Sequence, residues 1–364
     1  MKNSFLITFG LLLSTLSIAA SNESVWTYDS HIRSSSLRKA RKKTNLLALP
    51  KSLTPGNYKQ SIDHFGALPG QTFNQRYWVD TEYAPNPATA PVIYHICGEG
   101  DATQGYFLND NAIEWAKSLG ANLVYLEHRY YGQSLPFPDL STDHLQYLTL
   151  DNVMEDLAGF QKWMSTNQKW SGKWITVGGS YSGTLSALYR QKHPELIVGA
   201  LAASAPMISG TGQAEGTSSD VDQLSSTDPS GDDGGRQWVY QACINFGFWQ
   251  TDETIIYQPS SWLCQQLFGN VSLVNSTVYN QNYDTPFISN SASAPKNIMF
   301  TYGSDDIWTT IGLSQDSNLN PNITIRVING AGHHYDLNAP TPADNADVIA
   351  ARQEFLSLAQ KWLE

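Results

Sequence analysis

An open, mostly parallel β-sheet covered by helices on both faces is the fold that this chain's hydrophobic pattern predicts. Two observations carry that expectation. Apolar runs at 91–97, 121–127, 174–178, 198–204, 297–302 and 323–328 mostly lack alternation, as parallel strands buried on both faces require. Helical periodicity lies between and after them: residues 150–166 repeat Val153, Leu157, Phe160 and Met164 at helical spacing, and 347–363 read as a closing C-terminal helix. A chain of 364 residues can bury a large core, and α/β chains of this length often form one domain with insertions. No internal repeat is evident.

The hexapeptide Gly178-Gly179-Ser180-Tyr181-Ser182-Gly183 stands where a strand-like run passes into a helix-like one. A serine on such a turn, flanked by small residues, is the nucleophile elbow of α/β-hydrolases. The turn pushes Oγ out of the sheet, and the following helix offers N–H groups and a positive dipole end. The strict G-x-S-x-G pattern fails at position 182, which is Ser. Its CH2OH is small enough for close packing to survive. Alone, the segment also fits a Gly/Ser-rich turn without chemistry.

Two later segments change that weighing. The run 297–302 leads into Gly303-Ser304-Asp305-Asp306, and 323–328 leads into Gly330-Ala331-Gly332-His333-His334. Serine is a poor nucleophile at neutral pH and needs an imidazole to take its proton. The imidazole needs a carboxylate to fix its tautomer and stabilise its protonated form. Ser180, Asp306 and His333 occur in the chain order that α/β-hydrolases use, each after a strand. His334 is the alternative base.

Residues 1–20 read as a signal peptide: Lys2, an apolar run from Phe5 to Ile18, then Ala19 and Ala20. Four sequons, at Asn22, Asn270, Asn275 and Asn322, agree with secretory passage. No other apolar run is long enough to span a bilayer. Residues 21–50 form a basic tail or propeptide, with Arg33, Arg38, Lys39, Arg41, Lys42 and Lys43 in one acid-free stretch. Residues 1–43 hold seven of the 22 basic groups and two of the 33 acidic ones, so the remainder is strongly acidic. That balance excludes a nucleic-acid-binding body. In an oxidising compartment Cys243 and Cys264 could close a loop, whereas Cys97 ends a core strand and reads as a buried free thiol. No histidine follows in a pattern that suits a cysteine nucleophile.

Several blocks carry a family resemblance: Ile62-Asp-His-Phe65, Phe73-Asn-Gln-Arg-Tyr77, Gly98-Glu-Gly100, Glu127-His-Arg-Tyr-Tyr-Gly132, Gly199 to Pro206, Trp238-Val-Tyr-Gln-Ala-Cys243 and Gly303 to Trp308. Over about 56–206 and 236–364, the chain resembles the serine carboxypeptidase family that includes lysosomal Pro-Xaa carboxypeptidase, dipeptidyl peptidase II and the thymus-specific serine peptidase, and most of all the thymus-specific branch. The resemblance implies an α/β-hydrolase fold with Ser180 as nucleophile, Asp306 as acid and His333 as base. The family's Pro after the acid is Ile307 here, and Ala331 and Gly332 are exchanged. Tyr181 and the Gly98-Glu99 loop would supply the oxyanion N–H groups. Glu99 and Arg129 are candidates for recognising a substrate terminus or for a structural ion pair.

The family's large helical cap, inserted after the Ser-Ala-Pro strand, is mostly missing. Residues 207–235 are rich in Gly, Ser and Asp and nearly devoid of apolar groups. A residual cap at 237–268 would be held by a Cys243–Cys264 bridge. The expected organisation is therefore a hydrolase half at 51–206, a shortened cap at 207–295 and a second half at 296–364. The expected function is a secreted or lysosomal serine exopeptidase acting on peptides without metal or cofactor. A lipase or carboxylesterase and a non-catalytic family member are the alternatives.

Overall fold

A computed structural model of the chain describes residues 52–104, 109–209, 221–222, 224–230, 234–249, 260–316 and 318–364. The signal peptide and basic tail expected at 1–20 and 21–50, and the sequon at Asn22, lie outside these residues. The strands are β1 (Thr54–Ser61), β2 (Thr72–Asp80), β3 (Val92–Ile96), β4 (Asn122–Leu126), β5 (Trp174–Gly179), β6 (Gly199–Ala203), β7 (Ile298–Gly303) and β8 (Ile323–Ile328). They form one eight-stranded sheet in the order β1-β2-β4-β3-β5-β6-β7-β8.

The six strands from β4 to β8 in that order are parallel, and each coincides with one of the apolar runs. Complete burial of β3, β4 and β7 explains why those runs lack alternation. β1 and β2 pair antiparallel with each other, and β2 pairs antiparallel with β4. The apolar pattern passes over this pair because β1 is largely exposed and carries Pro55, Gly56 and polar residues.

Helices cover both faces. On one side lie α2 (Leu150–Gln168) and α3 (Tyr181–Lys192), burying Val153, Leu157, Phe160, Met164, Leu185 and Leu188 against the sheet. On the other lie α1 (Ala112–Leu119) and α7 (Ala346–Leu363), where Trp115 and Phe355 meet edge to face. Thr149 caps α2 by accepting the Asn152 N–H, and Asn345 caps α7 through the N–H groups of Asp347 and Val348.

Between β6 and β7 the chain adds α4 (Gly235–Gln241), a π-helical turn (Ala242–Phe246), α5 (Ser260–Phe268) and α6 (Ser276–Tyr283). Cys243 and Cys264 are disulfide-bonded, joining the π-helical turn to α5. Val239, Tyr240, Leu263, Leu267 and Phe268 pack on Tyr130, Leu140, Leu145 and Leu148 from the segment after β4. Arg236 is buried among them and donates to the carbonyls of Leu140, Leu224 and Leu267. Phe246, Phe248 and Phe287 join the main core. Asn270, Asn275 and Asn322 are exposed, and the Asn275 side chain caps α6 by accepting the Val278 N–H at 3.1 Å. Among the described residues no helix is long and apolar enough to cross a membrane.

The bridged loop constrains the unfolded chain, so replacing Cys243 and Cys264 with Ser is expected to cost about 3 kcal/mol. Equilibrium denaturation of the two forms measures this, and a loss below about 1 kcal/mol would contradict it.

Candidate active site

β5 ends in a turn that only a narrow set of residues can make. Ser180 sits at φ 59°, ψ −133°, a region costing an L residue about 1–3 kcal/mol. Its N–H is held by the Ala203 carbonyl at 2.9 Å, and its own carbonyl accepts from Gly183 and Thr184. A Cβ on Gly178 would lie 2.1 Å from the Ser182 carbonyl oxygen, so this approach requires glycine. Ser182 is part of the clamp: its hydroxyl donates to the Gly179 carbonyl at 2.7 Å and accepts the Gly179 N–H at 3.0 Å. The departure from G-x-S-x-G thus contributes two hydrogen bonds across the turn. Its only sequence signal is a small polar residue where glycine is usual.

The expected acid and base, Asp306 and His333, lie just past the ends of β7 and β8. Asp306 Oδ2 lies 2.9 Å from His333 Nδ1, and its Oδ1 accepts the Trp308 N–H at 3.0 Å. The Asp306 side chain is buried and the His333 side chain is 32% exposed. Burial alone would raise Asp306, but hydrogen bonds from His333, Ser204 and Trp308 hold its carboxyl below the ordinary aspartate value.

Ser204 ties these parts together. It follows β6, is buried and has φ 47°. Its Oγ accepts the His334 N–H at 2.7 Å, and its hydroxyl helps hold the Asp306 carboxyl down. The loop after β8 is thereby drawn back across β7 to β6. There the His334 ring packs over Gly179, where a Cβ would come within 3.1 Å of it. The adjacent His333 and His334 rings are 4.6 Å apart. Desolvation, with the charge of His333, pushes the His334 imidazole down to about 3, so it stays neutral. The hydrogen bond of the His333 ring goes to Asp306, and none to Ser180 Oγ is found among the described residues.

The Gly98-Glu99 loop leaves β3, the strand beside β5, and its turn is closed by Gly100 N–H to the Gly98 carbonyl at 3.1 Å. Burial raises the Glu99 carboxyl, and His333 is close enough for its charge to draw it partly back. Tyr181 is the first residue of α3, so its N–H has no carbonyl one turn back within the helix. Arg129 is not at the site: it is fully buried, donates to both Asp156 oxygens at 2.5 and 2.6 Å, and to the carbonyls of Ser61, Ile62 and Tyr147. Glu127 is likewise enclosed, accepting from Arg76 and from the Ser134 hydroxyl at 2.6 Å. Cys97 is buried and its thiol is pushed up by desolvation. Among the described residues no group of acids, His and Cys could hold a metal ion.

The model of the serine carboxypeptidase S28 family matches residues 60–215 and 211–355. The chain belongs to that family. It is 40% identical over 156 residues to a putative serine protease of Caenorhabditis elegans, covering 42% of this chain and 28% of that one. It is 39% identical over 171 residues to the human lysosomal Pro-X carboxypeptidase, covering 45% of this chain and 34% of the relative. These matches therefore span about a third of the curated relatives' length. The mouse thymus-specific serine protease aligns across 87% of this chain and 88% of its own, at 24% identity over 459 positions. That alignment is longer than the chain, so the relative carries residues that this one lacks. A solved S-formylglutathione hydrolase from Agrobacterium tumefaciens covers 88% of this chain and all of its own, at 11% identity and TM-score 0.51. The S28 member thus has the α/β-hydrolase fold.

Replacing Ser182 with Ala would leave the Gly179 N–H without its partner and cost about 1–3 kcal/mol in chemical denaturation. A neutral result would show that the clamp is redundant. A second expectation concerns acid. Desolvation lowers buried His128 to about 4, beneath the value near 6.5 of an unfolded histidine. Between about pH 6.5 and pH 4 the unfolded chain then binds more protons than the folded one, so stability falls as the pH drops through that window. The loss from this group is on the order of 3 kcal/mol. Melting curves of wild type and His128→Gln across that range test it, and equal pH slopes would refute it.

Proposed function

We propose that this protein is a serine-type exopeptidase of the secretory pathway, acting on peptides through an acyl-enzyme. The observation that carries the reading is the Asp306–His333 hydrogen bond at the strand ends beside a strained Ser180. In this reading Ser180 Oγ attacks the scissile carbonyl while His333 takes its proton through Nε2. Asp306 keeps the proton on Nδ1 and stabilises the imidazolium. The tetrahedral oxyanion is received by the Tyr181 N–H and by one N–H of the Gly98-Glu99 loop. His333 then protonates the leaving amine, and water, activated by the same imidazole, releases the acyl product.

Three further points support the peptidase reading and its setting. The S28 family model is a serine carboxypeptidase model, and the human relative is named a lysosomal carboxypeptidase. The two matched segments meet at 211–215, just past β6, where a shortened cap would place the missing residues. Aromatic groups of the remaining insertion lie against the elbow: Trp238 and Phe246 stand 5.8 and 5.2 Å from the Tyr181 ring.

A fluorophosphonate is expected to label wild type at Ser180 and to leave Ser180→Ala unlabelled. Asp306→Asn should lower kcat by about 10⁴-fold. A peptide-library digest should show cleavage confined to one end of each peptide. Uniform internal cleavage would refute the exopeptidase assignment, and turnover of acyl esters without peptides would refute the peptidase reading.

A further inference from the structure

Four buried side chains form an unbroken hydrogen-bonded line from the insertion to the elbow. The Tyr131 hydroxyl donates to Gln241 Oε1 at 2.6 Å, and Gln241 Nε2 donates to the Tyr181 hydroxyl oxygen at 2.7 Å. That hydroxyl lies 3.3 Å from His128 Nε2, and His128 Nδ1 lies 2.7 Å from the Arg129 carbonyl. A carbonyl only accepts, so Nδ1 carries the proton and Nε2 is an acceptor. The Tyr181 hydroxyl therefore donates to His128, and every link has a fixed direction. Desolvation, which lowers His128 to about 4, keeps the imidazole in this neutral form. Gln241 and Tyr181 have no exposed surface.

Gln241 is the last residue of α4, where the helix widens into a π-helical turn, and Cys243 of the disulfide lies two positions on. Trp238 and Phe246, on either side in sequence, pack against the same Tyr181 ring. Tyr181 is thus gripped by the insertion at its ring and at its hydroxyl. Its peptide plane with Ser180 carries the N–H that would receive the oxyanion in the mechanism above, and that plane is held in the costly conformation of Ser180. Fixing Tyr181 opposes relaxation of the plane.

We propose that Gln241 is a positioning residue for the oxyanion site, acting through the Tyr181 hydroxyl to hold the Tyr181 N–H in its working direction. This rests on the acylation mechanism above. It makes the insertion part of the catalytic support as well as a cover: the shortened segment would retain α4 because the elbow depends on it. A donor shifted by about 1 Å loses up to about a hundredfold in rate.

The test uses the full chain, with Gln241→Met (equal length, no hydrogen bond), Tyr181→Phe, which deletes one oxygen, and the double variant. Fluorophosphonate inactivation gives a maximal rate and a half-saturation concentration for Ser180, and circular dichroism with thermal melting reports folding. Each single variant is expected to lower the maximal rate about tenfold to a hundredfold, with half-saturation within about twofold of wild type. The double variant should lose no more than the worse single one, because both remove the Gln241–Tyr181 link through which the effect passes. Unchanged rates in folded Tyr181→Phe, losses confined to half-saturation, or multiplying losses in the double variant would overturn the proposal. A folded wild type that takes no label would instead refute the serine-hydrolase reading, and the positioning role with it.

Discussion

A serine held in a backbone conformation that L residues avoid is the constraint on which the rest of this structure turns. Ser180 at φ 59° cannot persist by itself; the strain has to be offset by its surroundings. The offset comes from the Ala203 carbonyl, the two hydrogen bonds of Ser182, and glycine at 178. Each of these needs β5, β6 and α3 packed at close range. The apolar sheet and its helices therefore supply the rigidity that holds one hydroxyl in place at a strand end.

The same logic extends outward to the proposed acid and base. Asp306 and His333 follow strands two and three places from β5, so their loops must be drawn back toward the elbow. For the loop after β8, Ser204 does this through its Oγ, which accepts the His334 N–H. On the other flank, Tyr181 ties α3 to the insertion through Gln241, Trp238 and Phe246. The elbow is held on both sides by polar contacts within apolar packing, where an unpaired partner is costly.

The blocks that most clearly mark the family are mainly framework. Glu127 and Arg129 are buried ion-pair partners: Arg76 serves the first, and Asp156 the second. Buried charges persist only when paired and fully hydrogen-bonded, which explains why these residues come as a set. A charged residue in a recognisable block is easily read as substrate-binding, and for Arg129 that reading fails because no part of it is exposed. Glu99, by contrast, lies where His333 feels its charge.

By itself the sequence determined the parallel sheet, the two covering helix layers and the order Ser180, Asp306, His333. These are local or periodic features: an apolar run, a 3.6-residue repeat, or a residue just past a strand end. The β1–β2 pair escaped because β1, at the sheet's edge, is largely exposed, and β2 buries scattered positions that include the polar Gln75 and Asp80. What only the tertiary structure decided are contacts between residues far apart in the chain, such as Ser204 with His334 and Gln241 with Tyr181, 130 and 60 positions apart. Even the Ser182 clamp, three residues from its partner, depends on a turn whose strain is sustained by β6. Hydrogen-bond direction and burial are set by packing, and a serine or glutamine in a sequence carries no mark of which neighbour it will meet.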